Sequence, residues 1–237
     1  MKFFTKNLPF YFSCNDSSLQ IIGATLKNDI LKVESVAFAK IPLDIVKNGE
    51  IIQPKPMLNM LKVLLNNSQP KKIQTNYCYI SLADEYVFSK FLRLPKVKET
   101  ELESTIKFMI KDFLPYRLEE VYLDWQPLST SSNDNIELNV SACKRKIIDS
   151  YLEVLSLGQI YPIGFEPESQ SLARLANLNS CEPSLIIYFS EKSITFSFVE
   201  KSSLIFVTNF QPSLQQNLEE EIISKLNNFL IFFSSFK

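Results

Sequence analysis

Histidine is absent from this chain, which removes the usual general base, the Ser–His and Cys–His pairs and the commonest metal ligand. Glycine is scarce. Only Gly23, Gly49, Gly158 and Gly164 occur, and none lies where a turn of the chain would grip phosphate through close backbone approach. The four cysteines (Cys14, Cys78, Cys143, Cys181) form no CxxC pair. Neither a zinc site nor a disulfide framework is indicated, and all four read as buried thiols in a reducing compartment. No basic run exceeds Lys144, Arg145 and Lys146, which reads as a solvated helix surface, and a net charge of −1 leaves no footprint for nucleic acid. No segment approaches ~20 apolar residues, so nothing is expected to span a membrane. The start, MKFFTKNLPFYFSC, is interrupted by Pro9 and followed by no small-residue cleavage site. These absences together read as a cytoplasmic, non-catalytic chain.

What is present is a 46% hydrophobic composition over 237 residues, ample for a packed core. Alternation predicts strands at 9–14, 19–26 and 30–39, with Lys27–Asp29 as a hairpin turn. The segment PKPMLNMLKVLLNN reads as a helix that tolerates Pro56 in its first turn. The same order recurs at 184–189, 192–199 and 203–209, with a turn at Glu200–Ser202 and a helix from Leu214 to Phe233. That helix has an acidic start at 219–221 and a stripe of Leu218, Ile222, Leu226, Phe229 and Phe233. Three strands and a helix, twice, make an internal repeat.

Between the repeats lies a different unit. Strands are predicted at 77–82 and 86–94, then a helix at 100–114 with a Thr100/Glu103 capping box and Pro115 as its stop. Its stripe is Leu102, Ile106, Met109, Ile110 and Phe113, from which Phe108 points away. Strands at 120–128 and 136–143 flank a polar loop at 129–135, followed by a helix at 145–157, a strand at 160–165 and a helix at 168–178.

The text FSKFLRLPKVKETELESTIKFMIKDFLPYRLEEVYLDWQPL (88–128), continued by ACKRKIIDSYLEVLSLGQIYPIGFEPESQSLARL (142–175), resembles the type IV pilus assembly protein PilM family, actin-like relatives of the division protein FtsA. The likeness extends back through KNGEII and forward to about Phe233. It implies an α/β, actin-like (ribonuclease-H-like) fold with an inserted α/β subdomain. Residues 9–76 would form the first three-strand repeat, 77–165 the inserted subdomain, and 166–237 a connecting helix with the second repeat. An actin-like second lobe would need roughly another hundred residues, so this one is expected to be incomplete. The apolar end NNFLIFFSSFK is then either a helix that has lost its cover or one that docks on a partner, a second copy or lipid.

In actin-like folds each repeat opens with a phosphate-gripping hairpin of the form D-I-G-S-S. Matching FYFSCNDSSLQIIG to it places Ser13 at the acid and Asn15 at the glycine, while Ser17 and Ser18 keep the hydroxyls. The second hairpin, LIIYFSEKSITFSF, puts Tyr188 at the acid, Ser190 at the glycine and Glu191 in the turn. A phenol with a pKa of about 10 cannot offset Mg²⁺, and Glu191 would repel phosphate. Asn15 tolerates positive φ, so the first loop's backbone is expected to survive; Asp16 is a displaced acid expected to point elsewhere. No ATP, Mg²⁺ or other metal is therefore expected. The resemblance implies a cytoplasmic scaffold at the inner-membrane face of a type IV pilus or related secretion apparatus. It would bind the tail of a bitopic PilN-like partner, contact motor ATPases and other pilus assembly proteins, and self-associate. Phe108, Tyr116 and Arg117 are the candidate partner-binding residues. The alternatives are an actin-like ATPase that polymerises or switches, and an FtsA-like membrane tether.

Overall fold

Period-two alternation turns Phe10, Phe12 and Cys14 of β1 (Phe10–Cys14) into the core, while Tyr11 and Ser13 face the other way. β2 (Ser18–Lys27) and β3 (Ile30–Lys40) follow antiparallel. A short hairpin, β4 (Val46–Lys47) and β5 (Glu50–Ile51), turns at Asn48 and Gly49 with φ of 52° and 77°, the primed turn that Asn-Gly favours. A Cβ at Gly49 would sit 2.6 Å from the Tyr86 ring, so only glycine fits. α1 (Pro54–Asn67) carries its prolines in the first turn and buries Met57, Leu58, Leu61 and Leu64. β6 (Gln69–Pro70), β7 (Tyr77–Leu82), a 3₁₀ turn at Asp84–Tyr86 and β8 (Val87–Pro95) come next. After them run α2 (Glu99–Ile110), β9 (Val121–Pro127), β10 (Asn135–Lys144), α3 (Arg145–Leu157), β11 (Tyr161–Pro167) and α4 (Glu168–Ala176). The second repeat is β12 (Ser184–Phe189), β13 (Ile194–Glu200), β14 (Ser203–Phe210) and α5 (Leu218–Ser234).

The computed structural model describes residues 8–27, 30–128, 134–176, 182–190, 193–200, 203–213 and 217–234. The predicted turns at Lys27–Asp29 and Glu200–Ser202, most of the loop 129–135, Cys181, Glu191 and the Leu214 helix start lie wholly or partly outside them.

Three sheets organise the chain. The first has the order β11-β7-β1-β2-β3-β6, with β1, β7 and β11 mutually parallel and the other pairs antiparallel. The inserted sheet is β8-β10-β9 and the third is β12-β13-β14, both antiparallel. The internal repeat is thus real in topology. β7 and β11 belong to the first repeat's sheet, so the separate inserted sheet spans 87–144 and not the whole of 77–165.

α1 and α3 cover one face of the first sheet, with Phe12, Ile80, Leu61, Tyr151 and Val154 at its centre. α2 covers the inserted sheet through Ile106 and Ile110. α5 packs Phe229 against Phe196 and Phe206 of the third sheet, whose other side meets Ala173 of α4. Of the predicted α5 stripe, Phe229 is buried and Ile222 and Leu226 are packed, but Leu218 is exposed. Leu230 and Ile231 are exposed as expected; the side chains beyond lie outside the described residues.

Two details of α2 differ from the sequence reading. The helix starts at Glu99 with Lys98 at its N-cap and no side-chain cap. Thr100 is already inside the helix, and Glu99 and Glu101 meet the positive dipole end instead of a capping box. The helix also ends at Ile110, whose carbonyl accepts from the N–H groups of both Phe113 and Leu114 (3.0 Å each). Leu114 then packs on the core and Phe113 is turned out, 51% exposed.

Cys14, Cys78 and Cys143 are buried free thiols, as expected, and burial pushes them up to about 12, 12 and 11, so they stay protonated. Tyr151, 1% exposed, lies between Phe12 and Phe165 and donates its hydroxyl to the Cys14 carbonyl (3.2 Å). Replacing Tyr151 by Phe should cost about 1 kcal/mol, the net worth of one hydrogen bond. Tyr151→Ala should cost about 3–5 kcal/mol through the cavity it opens. Urea denaturation of the three proteins reads both steps.

Candidate functional site

Parallel strands finish at the same sheet edge, and three of them do so here. Asn15 and Asp16 follow β1, Asp84 and Glu85 follow β7, and Glu168 follows β11. The facing ends of β12 and β13 reach this edge, so Ser13, Asn15, Ser17, Tyr188 and Ser190 line one cavity with Asp84 and Glu168. Both hairpins singled out in the sequence therefore meet. Ser18 does not line the cavity; it is buried behind Asn15.

The first turn is satisfied from within. Asn15 Oδ1 accepts from the N–H groups of Ser17 (2.9 Å) and Ser18 (2.8 Å) and from their hydroxyls (3.0 and 3.1 Å). These are the donors a phosphate would use. Asn15 is not at positive φ, contrary to the expectation from its type; it works through its side chain in an Asx turn. Ser13 Oγ donates to Glu168 Oε1 (3.0 Å). Asp16 does point elsewhere: its carboxylate accepts from the N–H groups of Asn48 (3.1 Å) and Gly49 (2.9 Å) and from the Tyr86 hydroxyl (2.8 Å).

The second turn repeats the device. Ser193 N–H donates to Ser190 Oγ (3.0 Å), as Ser18 N–H does to Asn15, and the backbone closes through Ser190 N–H to Ser193 O (2.9 Å). Tyr188 stands at the acid position, its phenol raised by burial and then by the charges of Glu168 and Asp84.

Asp84, Glu85 and Glu168 were not singled out in the sequence. The missed signal was an acid just past a strand that runs parallel to β1. Asp84 accepts from Ser169 N–H (3.1 Å) and from the Ser169 hydroxyl (2.5 Å), tying the turn after β7 to the first turn of α4. Burial pushes Asp84 up to about 7, against the lowering effect of Ser169 and with a further push from Glu168. Glu168 is likewise raised by burial, opposed by the Ser13 hydroxyl. Among the described residues no Lys or Arg lines the cavity, whose volume is about 60 Å³, against roughly 300–1,000 Å³ for ordinary small-molecule pockets. Among the described residues no group of carboxylates and thiols is arranged to hold a metal ion. The arrangement is a narrow, acidic seam in which Asn15 already holds the donors of Ser17 and Ser18.

A second concavity lies where the inserted unit meets α3. Tyr116, Glu120, Lys144, Arg145 and Lys146 line a groove of about 390 Å³. Arg145 and Lys146 of the basic run are exposed, as the sequence suggested, and the run also makes specific contacts. Lys144 sits over the Tyr116 ring (4.2 Å) and Arg145 over Tyr122 (4.2 Å). Arg145 also donates to Glu119 O (2.9 Å), and Lys146 pairs with Glu50 (2.6 Å). Of the predicted partner-binding residues, Tyr116 lines the groove. Arg117 is exposed beside it, its N–H donating to Glu120 Oε2 (3.0 Å). Phe108 is 69% exposed on α2, as expected, but is not part of the groove's lining.

A sequence profile described as type IV pilus assembly protein PilM matches residues 14–182. Among solved structures, the chain is similar to one described as a PilM–PilN type IV pilus biogenesis complex (TM-score 0.74, 18% identity), over 86% of this chain and 62% of that one. It therefore spans about three fifths of that protein's length. It also resembles the cytoplasmic domain of EpsL, an inner-membrane component of the Vibrio cholerae type II secretion system (TM-score 0.55, 8% identity), over 88% of this chain and 79% of that one. A Bacteroides thetaiotaomicron protein with an actin-like ATPase fold matches with a TM-score of 0.54 and 10% identity, over 94% of this chain and 76% of that one. The fold is actin-like. No helix among the described residues is long and apolar enough to cross a membrane.

Asp84 carries a pH signature. Its pKa is raised from about 4 in the unfolded chain to about 7 in the folded one, so the folded state holds the extra proton between those values. Stability from this group is full below about pH 4, is lost as pH rises to about 7, and is flat above. Asp84→Asn keeps an acceptor for Ser169 and removes the charge. The variant should match the parent at pH 4 and exceed it by at least about 1 kcal/mol at pH 8 in urea denaturation.

Proposed function

The chain belongs to the type IV pilus assembly protein PilM family, and from that premise we propose that it is a scaffold of a type IV pilus or related secretion complex. It works at the cytoplasmic face of the inner membrane, binds the cytoplasmic tail of a PilN-like membrane partner and does not turn over ATP. Other assembly proteins, motor ATPases among them, are the wider partners. The observation that carries the second half is Asn15, whose side chain already holds the four donors of the first turn. A phosphate would have to displace it and enter a cavity lined by Asp84 and Glu168, with no cation among the described residues. The first half is supported by the family match and by the PilM–PilN likeness. The tail is assigned to the inserted unit, along Tyr116 and Arg117 and out to Phe108. An aromatic and arginine surface of this kind is what binding hot spots use, and an extended tail adds backbone bonds at a sheet edge.

Two measurements test this reading. Calorimetry with Mg-ATP should give no binding tighter than millimolar; a micromolar constant, about −8 kcal/mol, would overturn it. With a peptide of the partner's cytoplasmic tail, Phe108→Ala combined with Tyr116→Ala should weaken binding by at least ~2 kcal/mol while the circular dichroism is unchanged. Unchanged affinity in that folded double variant moves the tail elsewhere.

A further inference from the structure

The third sheet repeats the start of the first, with one difference at its edge. Cys14 pairs with Leu19 across the first hairpin, and Phe189 pairs with Ile194 across the second. That register makes Phe10, Phe12 and Cys14 the counterparts of Leu185, Ile187 and Phe189. In the first repeat β7 lies alongside β1 and Tyr151 of α3 rests on Phe12, so Phe12 and Cys14 are 0% and 2% exposed. Among the described residues no strand lies along the outer side of β12. Ile187 and Phe189 are 37% and 59% exposed. They share one side of the strand with Leu185, which packs on the core around Phe229.

An open sheet edge is normally blocked against pairing by a charge, a proline, a bulge or shortness. The other outer strands of the three sheets carry such blocks. β6 is two residues long and ends in Pro70, and β11 has Pro162 and a break in register beside it. β8 carries Lys90 and Arg93, and β9 carries Asp124. β14 bulges at Ile205, which is skipped between the pairs Phe198–Phe206 and Val199–Leu204. β12, reading SLIIYF, has no charge, no proline and no break in its register with β13.

We propose that β12 is the pairing edge of a homodimer, in which the same strand of a second copy lies antiparallel against it. A folded partner extends the sheet only through an edge that is itself unblocked, and among the described outer strands β12 is the one that offers such an edge. Two-fold pairing also suits its residues. An uncharged strand meets its own copy without like charges facing each other. A two-fold axis normal to the sheet keeps Leu185, Ile187 and Phe189 of both copies on one face, where the exposed Ile187 and Phe189 gain apolar neighbours. Each copy spends its open edge on the other, so the assembly closes at two. The dimer does not rest on the pilus reading, and it leaves Tyr116 and Arg117 untouched.

The test is sedimentation equilibrium of the full chain, joined to amide hydrogen exchange. The chain should sediment as a dimer, and exchange over 184–189 should slow at least about tenfold between about 1 and about 100 μM protein. Ile187→Lys sets a charge on the edge at a site already exposed, and should weaken dimerisation at least about tenfold with unchanged circular dichroism. Ile223→Lys, on an exposed side of α5, should leave the dimer intact. A parent that stays monomeric at about 100 μM overturns the proposal, as does open-ended association in place of a dimer. A folded Ile187→Lys variant that dimerises like the parent also overturns it. So does a dimer whose exchange over 184–189 is independent of concentration, or one lost through Ile223→Lys alone, since the contact would then lie elsewhere.

Discussion

β1, β7 and β11 run side by side in the same direction, Phe10–Cys14 against Cys78–Leu82 and those against Tyr161–Pro167. Parallel neighbours cannot be joined by tight turns, so each must be reached by a crossover. Here the crossovers bring α1 and α3 onto one face of the sheet, where the largest core forms. The same arrangement delivers three chain segments to one edge. The turn after β1, the acids after β7 and the first turn of α4 become neighbours although they lie far apart in sequence. Without that pairing the cavity would not exist and the second repeat would have no α4 to rest on.

What fills the edge is chemistry turned inward. In both repeats a side chain at the start of the turn accepts the N–H three residues on, Asn15 from Ser18 and Ser190 from Ser193. Asp16, the one acid in the first turn, instead braces the Asn48–Gly49 hairpin and Tyr86. A polar group left unpaired when buried costs more than a satisfied one returns. A turn that accepts its own N–H groups meets that cost without help from outside, as Asn15 and Ser190 do here. Asp84 and Ser169 join the root of the inserted unit to the helix that leads into the second repeat.

The inserted unit follows a different logic. Its core of Leu92, Leu94, Ile106, Ile110, Leu138 and Val140 is small and local; at its root Val87 and Cys143 pack into the first lobe's core, and further contacts are polar. Arg145 of α3 joins it to the first lobe through the Tyr122 ring and the Glu119 carbonyl. Asn139 Nδ2 reaches the Leu204 carbonyl of β14 (3.1 Å). Such joints hold position while leaving the outer surface, with Phe108 and Phe113, free of the fold's own packing.

Local pattern determined a great deal. Alternation in FYFSC, the prolines opening α1 and the stripe of Ile106 and Ile110 act between near neighbours, so strands, helices and the twofold repeat are legible in order. The absence of histidine and the poverty of glycine likewise speak against a working phosphate site before any fold is known. Where a decision passed to distant residues, the sequence was mute. That β7 and β11 join the first sheet depends on which crossover buries most surface, and no residue in either strand announces it. At the end of α2 it is Leu114, and not the stripe's Phe113, that packs on the core. The roles of Asp84, Glu168 and the basic run depend on partners 85, 155 and 96 residues away, for Ser169, Ser13 and Glu50 respectively. Hydrogen bonds of that span have no periodicity to read, because only the closed sheet brings their ends within reach.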